Sequence, residues 1–464
     1  MENITLKLAR NIVRTTYGNI PDEVLIEKKK NIFDVLGIMI AGTGEQGCKE
    51  LVNLIRYWDC CKESSVIGHG FKTSVYNATI ANCSMARALD FDDVFPDKTT
   101  HVNATLVPVA LSVSEKEGTI SGKDFLTALT LGADLECRLA LASTILTGVS
   151  GMSFTYQFAT FGAAAVTGKL MGLNEDQMTN AIGIAYSQMA GNNQCIIDSA
   201  LTVRLQQGLS AGSGVLSAIL AHLGITGARD SFMGKFGYYN VYQQGNCHAD
   251  ALTSNLGEKF EGVYHAIKPY PCCMHTHGAI DAILDITGRT KIDVEEIETV
   301  EVGVNEAAYN ITSDPIEKKR NPEGTVDAQF SMPYVVASTL IKKHIFLDNF
   351  TETEIKNPNV LRLCRDKIYP RIDKKINLIN EGGGITQTDL KIKMKGGSLH
   401  ETYVAFPKGS PHNPMSLEDC VEKFLKCSRM GIKPLTTKNS KRVVGMILNL
   451  EAIPDLNELI ALIM

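Results

Sequence analysis

Along the first half of the chain, apolar and polar residues alternate with the period of a helix, run after run. The apolar run Val24 to Ile40 follows Pro21-Asp22-Glu23. A proline at an early position and acids in the first turn, where the helix dipole favours them, mark a helix start. Gly42 and Gly44 end the run. Ser121-Gly122-Lys123-Asp124 leads into an apolar helix from Phe125 to Leu141, and Asn174-Glu175-Asp176-Gln177 opens another towards Ile184. Ser210 to Leu223 is small, apolar and uninterrupted. Stretches such as Phe161-Gly162-Ala163-Ala164-Ala165 and Ala211-Gly212-Ser213-Gly214 are built from small residues. They predict helix backbones packed close together.

The character changes after about His265. Glu298 to Val304 alternates at period two, as a half-buried strand does. Leu390 to Met394, then Gly396-Gly397, then Leu399 to Val404 reads as a hairpin. Helical stretches from Gly278 to Thr287 and from Pro333 to Lys343 lie between them, and helix returns at Ser416-Leu417-Glu418-Asp419. The expectation is a mainly α protein: a large all-helical domain with an inserted, smaller α+β lid domain. Residues 1–264 and 410–464 form the helical part and residues 265–409 the insert. No internal repeat stands out.

At 464 residues the chain is long enough for two or three domains, with 44% hydrophobic and 21% charged residues. The net charge of −5 and the lack of a long basic run argue against nucleic acid as a partner. A small anionic substrate would need local positive charge instead. The start Met1-Glu2-Asn3-Ile4 lacks the features of a signal peptide. The early apolar stretch from Ile32 to Ala41 contains Asp34 and is too short to span a bilayer. A cytoplasmic protein with no membrane partner is expected. The twelve cysteines include the pairs Cys60-Cys61 and Cys272-Cys273 but no Cys-x-x-Cys, so reduced thiols are expected.

Three segments carry candidate chemistry. In Ala88-Leu89-Asp90-Phe91-Asp92-Asp93, three acids follow the helical run Ala78 to Leu89. A carboxylate there meets the negative end of the helix dipole, and its neighbours Asp92 and Asp93 repel it further, which suits a group that holds a proton. The plainer reading is a polar loop capping the next turn. His101 stands just before a helix from Ala104 to Val113 and suits a proton-transfer role. In Lys268-Pro269-Tyr270-Pro271-Cys272-Cys273-Met274-His275-Thr276-His277, alternate prolines hold the chain extended just ahead of a helix. That could hold a carboxylate. The Cys/His spacing is not a usual zinc pattern, so no metal is expected. In Val203-Arg204-Leu205-Gln206-Gln207-Gly208, Arg204 with Gln207 at a helix start could clamp a carboxylate, or Arg204 could bridge helices.

With these residues in view, the chain resembles the MmgE/PrpD family along nearly its whole length. The resemblance rests on Leu8-Ala9-Arg10, Ile20 to Val24, Asp34-Val35-Leu36-Gly37, Ala88 to Asp93, Phe161 to Ala165, Lys268 to Cys272 and Ser331-Met332-Pro333-Tyr334. Towards the C-terminus it includes Pro407-Lys408-Gly409, Asn413-Pro414 and Glu422-Lys423-Phe424. It implies a helical domain, an α+β lid, a pocket between them, a homodimer, and no metal or organic cofactor. It also implies chemistry on a small carboxylic acid by proton transfer beside a carboxylate: dehydration as in 2-methylcitrate dehydratase, decarboxylation of cis-aconitate, or epimerisation of iminodisuccinate. Family roles fall on Asp90, His101, Lys268 and Tyr334 as catalytic groups. Arg204, Gln207, Ser153, Cys273 and Asp93 are then candidates for substrate binding. The chain departs from the decarboxylase pattern at Val94, Ser153, Val203 and Cys273, where that pattern has Thr, His, Lys and His. The expected function is a hydro-lyase acting on a hydroxylated di- or tricarboxylic acid. The alternatives are an epimerase or isomerase and a non-catalytic carboxylate-binding homologue.

Overall fold

The computed structural model describes residues 3–58, 61–145, 150–379 and 387–464. Met1 and Glu2 of the N-terminal stretch, and Cys60 of the first cysteine pair, lie outside them. The chain divides into two compact units: residues 1–88, 92–265 and 416–464 in the first, residues 89–91 and 266–415 in the second.

The first unit is helical apart from one short hairpin. Its elements are α1 (Ile4–Arg14), α2 (Asp22–Ala41), α3 (Cys48–Trp58), β1 (Ser64–Val66), β2 (Phe71–Thr73), α4 (Val75–Arg87), α5 (Asn103–Glu117), α6 (Gly122–Ala142), α7 (Phe154–Leu170), α8 (Glu175–Gln188) and α9 (Thr202–His222). The starts follow the sequence signals. Pro21 caps α2, with Asp22 and Glu23 in the first turn. Ser121 caps α6 through its side chain. Asn174 and Gln177 form a reciprocal capping box at α8.

The small residues set the helix spacing. A Cβ at Gly214 of α9 would come within 2.4 Å of the Thr160 carbonyl oxygen on α7, and one at Gly208 within 2.4 Å of the Ile80 carbonyl on α4. On α7, the room beside Gly162 is taken by the Glu136 side chain of α6, whose Oε1 a Cβ there would approach to 1.9 Å.

The second unit is α+β. Its main elements are α10 (His277–Arg289), β3 (Ile297–Val304), α11 (Met332–Lys342), β4 (Ile368–Ile372), β5 (Thr388–Met394) and β6 (Leu399–Val404). The sheet order is β4-β3-β5-β6, with β3 and β4 parallel and the other pairs antiparallel. Val300, Val302 and Val304 of β3 and Leu390 and Ile392 of β5 turn into a core shared with Ile280, Ile283, Val335 and Val336. The opposite face is charged, with Lys393 3.0 Å from Glu298 across the strands. Strand β4 was not expected. It contains Pro370, and it sits at the sheet edge, where a missing N–H is tolerated. The chain then returns to the first unit through α12 (Leu417–Cys427), which packs on α2, and α13 (Thr437–Leu448). Lys423 of α12 pairs there with Asp34 of α2, both fully buried. Burial pushes the Asp34 carboxyl up to about 7 despite that partner.

Candidate active site

In the first unit, α4 ends at Arg87, and the chain re-enters the unit at Asp92. Asp92 is fully buried and is held from two sides. Nη1 of Arg87 donates to its Oδ1 at 3.1 Å, and Nδ1 of His101 lies 2.9 Å from its Oδ2. The imidazole contact is close but lies off the line of the ring N–H. The His101 backbone N–H donates to Thr155 Oγ1 at the start of α7. The ring thus has a buried carboxylate beside Nδ1, its backbone is anchored at the start of α7, and its side chain keeps 12% of its surface exposed.

Asp93 faces the other way. Its carboxylate accepts from the backbone N–H and side-chain Nδ2 of Asn103, at 3.1 and 2.8 Å, and so caps the start of α5. Nδ1 of His265 lies 2.5 Å from its Oδ2. Burial pushes the Asp93 carboxyl up, but His265 and Asn103 more than offset this and hold it below the usual range. Burial holds His265 below its usual range, leaving a neutral ring at neutral pH. Two further ionisable groups lie close behind. Lys28 donates to the Gly262 carbonyl at 3.2 Å, and burial lowers its pKa. Glu136 is fully buried, and burial, reinforced by Asp93, raises its carboxyl well above the ordinary range.

The other first-unit candidates are scattered. Arg204 Nη1 donates to the Gln46 carbonyl at 2.8 Å, with Glu45 3.9 Å away. Gln207, fully buried, donates to Thr105 Oγ1. Ser153 is the residue preceding α7, and its N–H donates to the Gly191 carbonyl.

In the second unit, Lys268 Nζ donates to the Asp90 backbone carbonyl at 2.9 Å and to its Oδ2 at 3.0 Å, with both residues buried. Asp90 is in the left-handed region, φ 48°, which short polar side chains tolerate better than most. Gln329 reinforces the segment: its Nε2 donates to the Leu89 carbonyl at 2.6 Å and to the Pro271 carbonyl at 3.1 Å. The Gln329 carbonyl accepts from the Cys273 N–H. Burial and the Asp90 charge push the Cys273 thiol up to about 11, so it is no thiolate at neutral pH. Burial and then Lys268 push His275 down to about 4. Tyr334 lies in the helix–sheet core, with its hydroxyl donating to the Asn349 carbonyl at 2.5 Å. Among the described residues, no three His, Cys, Asp or Glu side chains are grouped to hold a metal ion.

Of the candidates read from sequence, the structure therefore brings Asp90 and Lys268 into direct contact. It gives His101 a partner, Asp92, that sequence reasoning counted only as a neighbour of Asp90. Arg87, His265 and Gln329 were missed. Arg87 offered one signal, an arginine five residues before the acid it holds.

The MmgE/PrpD N-terminal domain model matches residues 6–249, and the MmgE/PrpD C-terminal domain model residues 270–445. Similar proteins include a cis-aconitate decarboxylase-like protein, oryM, of Aspergillus oryzae, 24% identical over 99% of this chain and 97% of the relative. The cis-aconitate decarboxylase of Aspergillus terreus is 25% identical over 96% of this chain and 92% of its own. The Homo sapiens enzyme of that name is 23% identical, over 100% and 95%. No described helix is long and apolar enough to cross a membrane. With both domain models matched in order along most of its length, the chain belongs to the MmgE/PrpD family.

Proposed function

We propose that this protein adds water to, or removes it from, a hydroxylated di- or tricarboxylic acid, moving a proton at the carbon beside a carboxylate. The chain is an enzyme of the lyase type, by its family and by relatives that are cis-aconitate decarboxylases. The observation that carries the proton-transfer reading is His101, held at Nδ1 by a buried carboxylate. A carboxylate at one ring nitrogen fixes the ring and supports positive charge on it when the other nitrogen takes a proton. Lys268 is the proposed cation for the charge that develops as an enediolate, with Asp90 as the acid or base that exchanges with it. A preorganised donor of that kind is worth ~3–4 kcal/mol. The homodimer and cytoplasmic readings of the sequence stand with this proposal.

Loss of carbon dioxide is the second reading, favoured by the relatives' activity. Against it stand Val94, Ser153, Val203 and Cys273, at positions where the resemblance implies a threonine, two histidines and a lysine. Proton NMR in deuterium oxide, with a panel of hydroxylated and unsaturated di- and tricarboxylates, separates the possibilities. Water loss converts a hydroxylated acid into one with a new alkene signal, decarboxylation gives a product one carboxyl group smaller, with carbon dioxide assayed separately, and epimerisation exchanges a proton without a new alkene. The hydro-lyase reading fails if no acid in the panel loses or gains water while His101→Asn and the unaltered protein behave alike.

A further inference from the structure

Two neighbouring segments and a third, far along the chain, converge on one face of the first unit. On α3, Lys49, Asn53 and Arg56 stand at i, i+4 and i+7, so they share one side of the helix. The β1–β2 turn brings Gly68, His69 and Gly70, and the segment after α12 brings Ile432 and Lys433. Together they line a cavity of about 400 Å³, within the ~300–1,000 Å³ usual for small-molecule sites.

The lining holds three cations and a histidine, and no acid. Among the described residues, neither Lys49 nor Arg56 forms an ion pair with an acidic side chain. The nearest acid on α3, Glu50, instead bonds the Gly47 N–H at 2.6 Å. Arg56 is pinned over the neutral Phe71 ring at 4.6 Å, and Lys433 Nζ donates to the Met464 main-chain oxygen at 3.0 Å, so both cations are positioned. Nε2 of His69 is buried without a hydrogen-bond partner among the described residues. A second basic groove, lined by Lys7, Arg10 and Arg14, makes a useful contrast, because Glu175 bridges both of its arginines. That groove carries its own acidic side chain, whereas among the described residues no acidic side chain lines the α3 cavity.

Like charges gathered around one hollow repel, in a chain whose net charge is −5. We infer that the α3 cavity is a binding site for a small anion carrying two or more negative charges, separate from the residues assigned to proton transfer. Phosphoryl and carboxylate groups share the required chemistry: compact charge and several acceptor oxygens for Lys49, Arg56, Lys433 and the His69 ring.

The full chain is titrated with pyrophosphate and, separately, with tricarballylate, and binding is followed by calorimetry. The expected result is saturable binding of at least one anion that weakens several-fold in Lys49→Gln and in Arg56→Gln, weakens further in the double variant, and fades with added salt. Binding of pyrophosphate alone names a phosphoryl ligand, and binding of tricarballylate alone a polycarboxylate. If neither anion gives binding heat, or if binding is unchanged in the folded double variant, the proposal is overturned. These exposed side chains tolerate substitution, and proton transfer measured in the same variants keeps this test distinct from that of the proposed reaction.

Discussion

Asp92 Oδ2 lies 2.9 Å from His101 Nδ1, while Arg87 occupies Oδ1 of the same carboxylate. The acid is fully buried, and in the proposed reaction it would act through the imidazole, as a positioning residue. Asp92→Asn keeps the shape and removes the charge that supports a protonated ring. It is expected to lower kcat with little change in KM and to shift the pH profile. His101→Ala should cost ~10²–10⁴-fold in turnover, the usual contribution of a general acid or base. Steady-state kinetics across pH, with circular dichroism as a fold control, checks both. Unchanged turnover in His101→Ala would remove it from the chemistry.

The Lys268–Asp90 pair bears on stability as well as on the proposed reaction, because both side chains are almost wholly enclosed. Lys268→Met leaves a buried carboxylate without its cation, at ~3–5 kcal/mol. Lys268→Met with Asp90→Asn removes both charges and should recover most of that stability while remaining inactive. Urea midpoints on the two variants, paired with activity, test this. Recovery of activity in the double variant would show that neither charge is chemical.

Asp93 and His265 form a second buried pair, tied to the first turn of α5 through Asn103. His265→Phe is expected to destabilise by ~1–3 kcal/mol, since it takes one donor from the buried Asp93 carboxylate and leaves the two from Asn103. His265→Gln, which can still donate, should lose less. Thermal unfolding of the two variants decides it; equal losses would mean that packing, not the donor, is what His265 supplies.

Asp34 gives a pH dependence with a definite sign. Folded, it keeps its proton up to about 7, whereas unfolded it titrates near 3.8. Between those values the folded chain binds more protons than the unfolded one. The contribution of Asp34 is therefore present in full below about 3.8 and is lost as pH climbs to about 7. Asp34→Asn should flatten that part of the stability curve, as read from denaturation midpoints across the window. An unaltered slope would mean that Asp34 is ionised throughout.

What could be read in advance divides by the range of the interaction. Helix starts at Ser121, Asn174 and Ser416 were legible because a cap is local, made within three residues. Strand β3 and the β5–β6 hairpin were legible from period two and a Gly-Gly turn. Strand β4 was not, since Ile-Tyr-Pro-Arg-Ile reads as a turn until a parallel neighbour 68 positions earlier takes up its other groups. The three-residue strands β1 and β2 are too short to show a period. Among the candidate residues, Asp90, His101 and Lys268 stand out by residue type and resemblance, but their contacts do not. Lys268 reaches across 178 positions to Asp90, and His265 reaches Asp93 across 172, distances over which a pattern carries no signal.

The glycine at position 162 has a meaning that its alanine-rich surroundings conceal. It looks like one more small residue in a closely spaced bundle, and an engineer seeking a stiffer α7 would replace it with alanine first. That methyl group would meet the Glu136 carboxyl head-on, 1.9 Å from Oε1, in the interior of the first unit. The vacancy at 162 belongs to an acid on another helix, and the two positions should vary together or not at all across homologues.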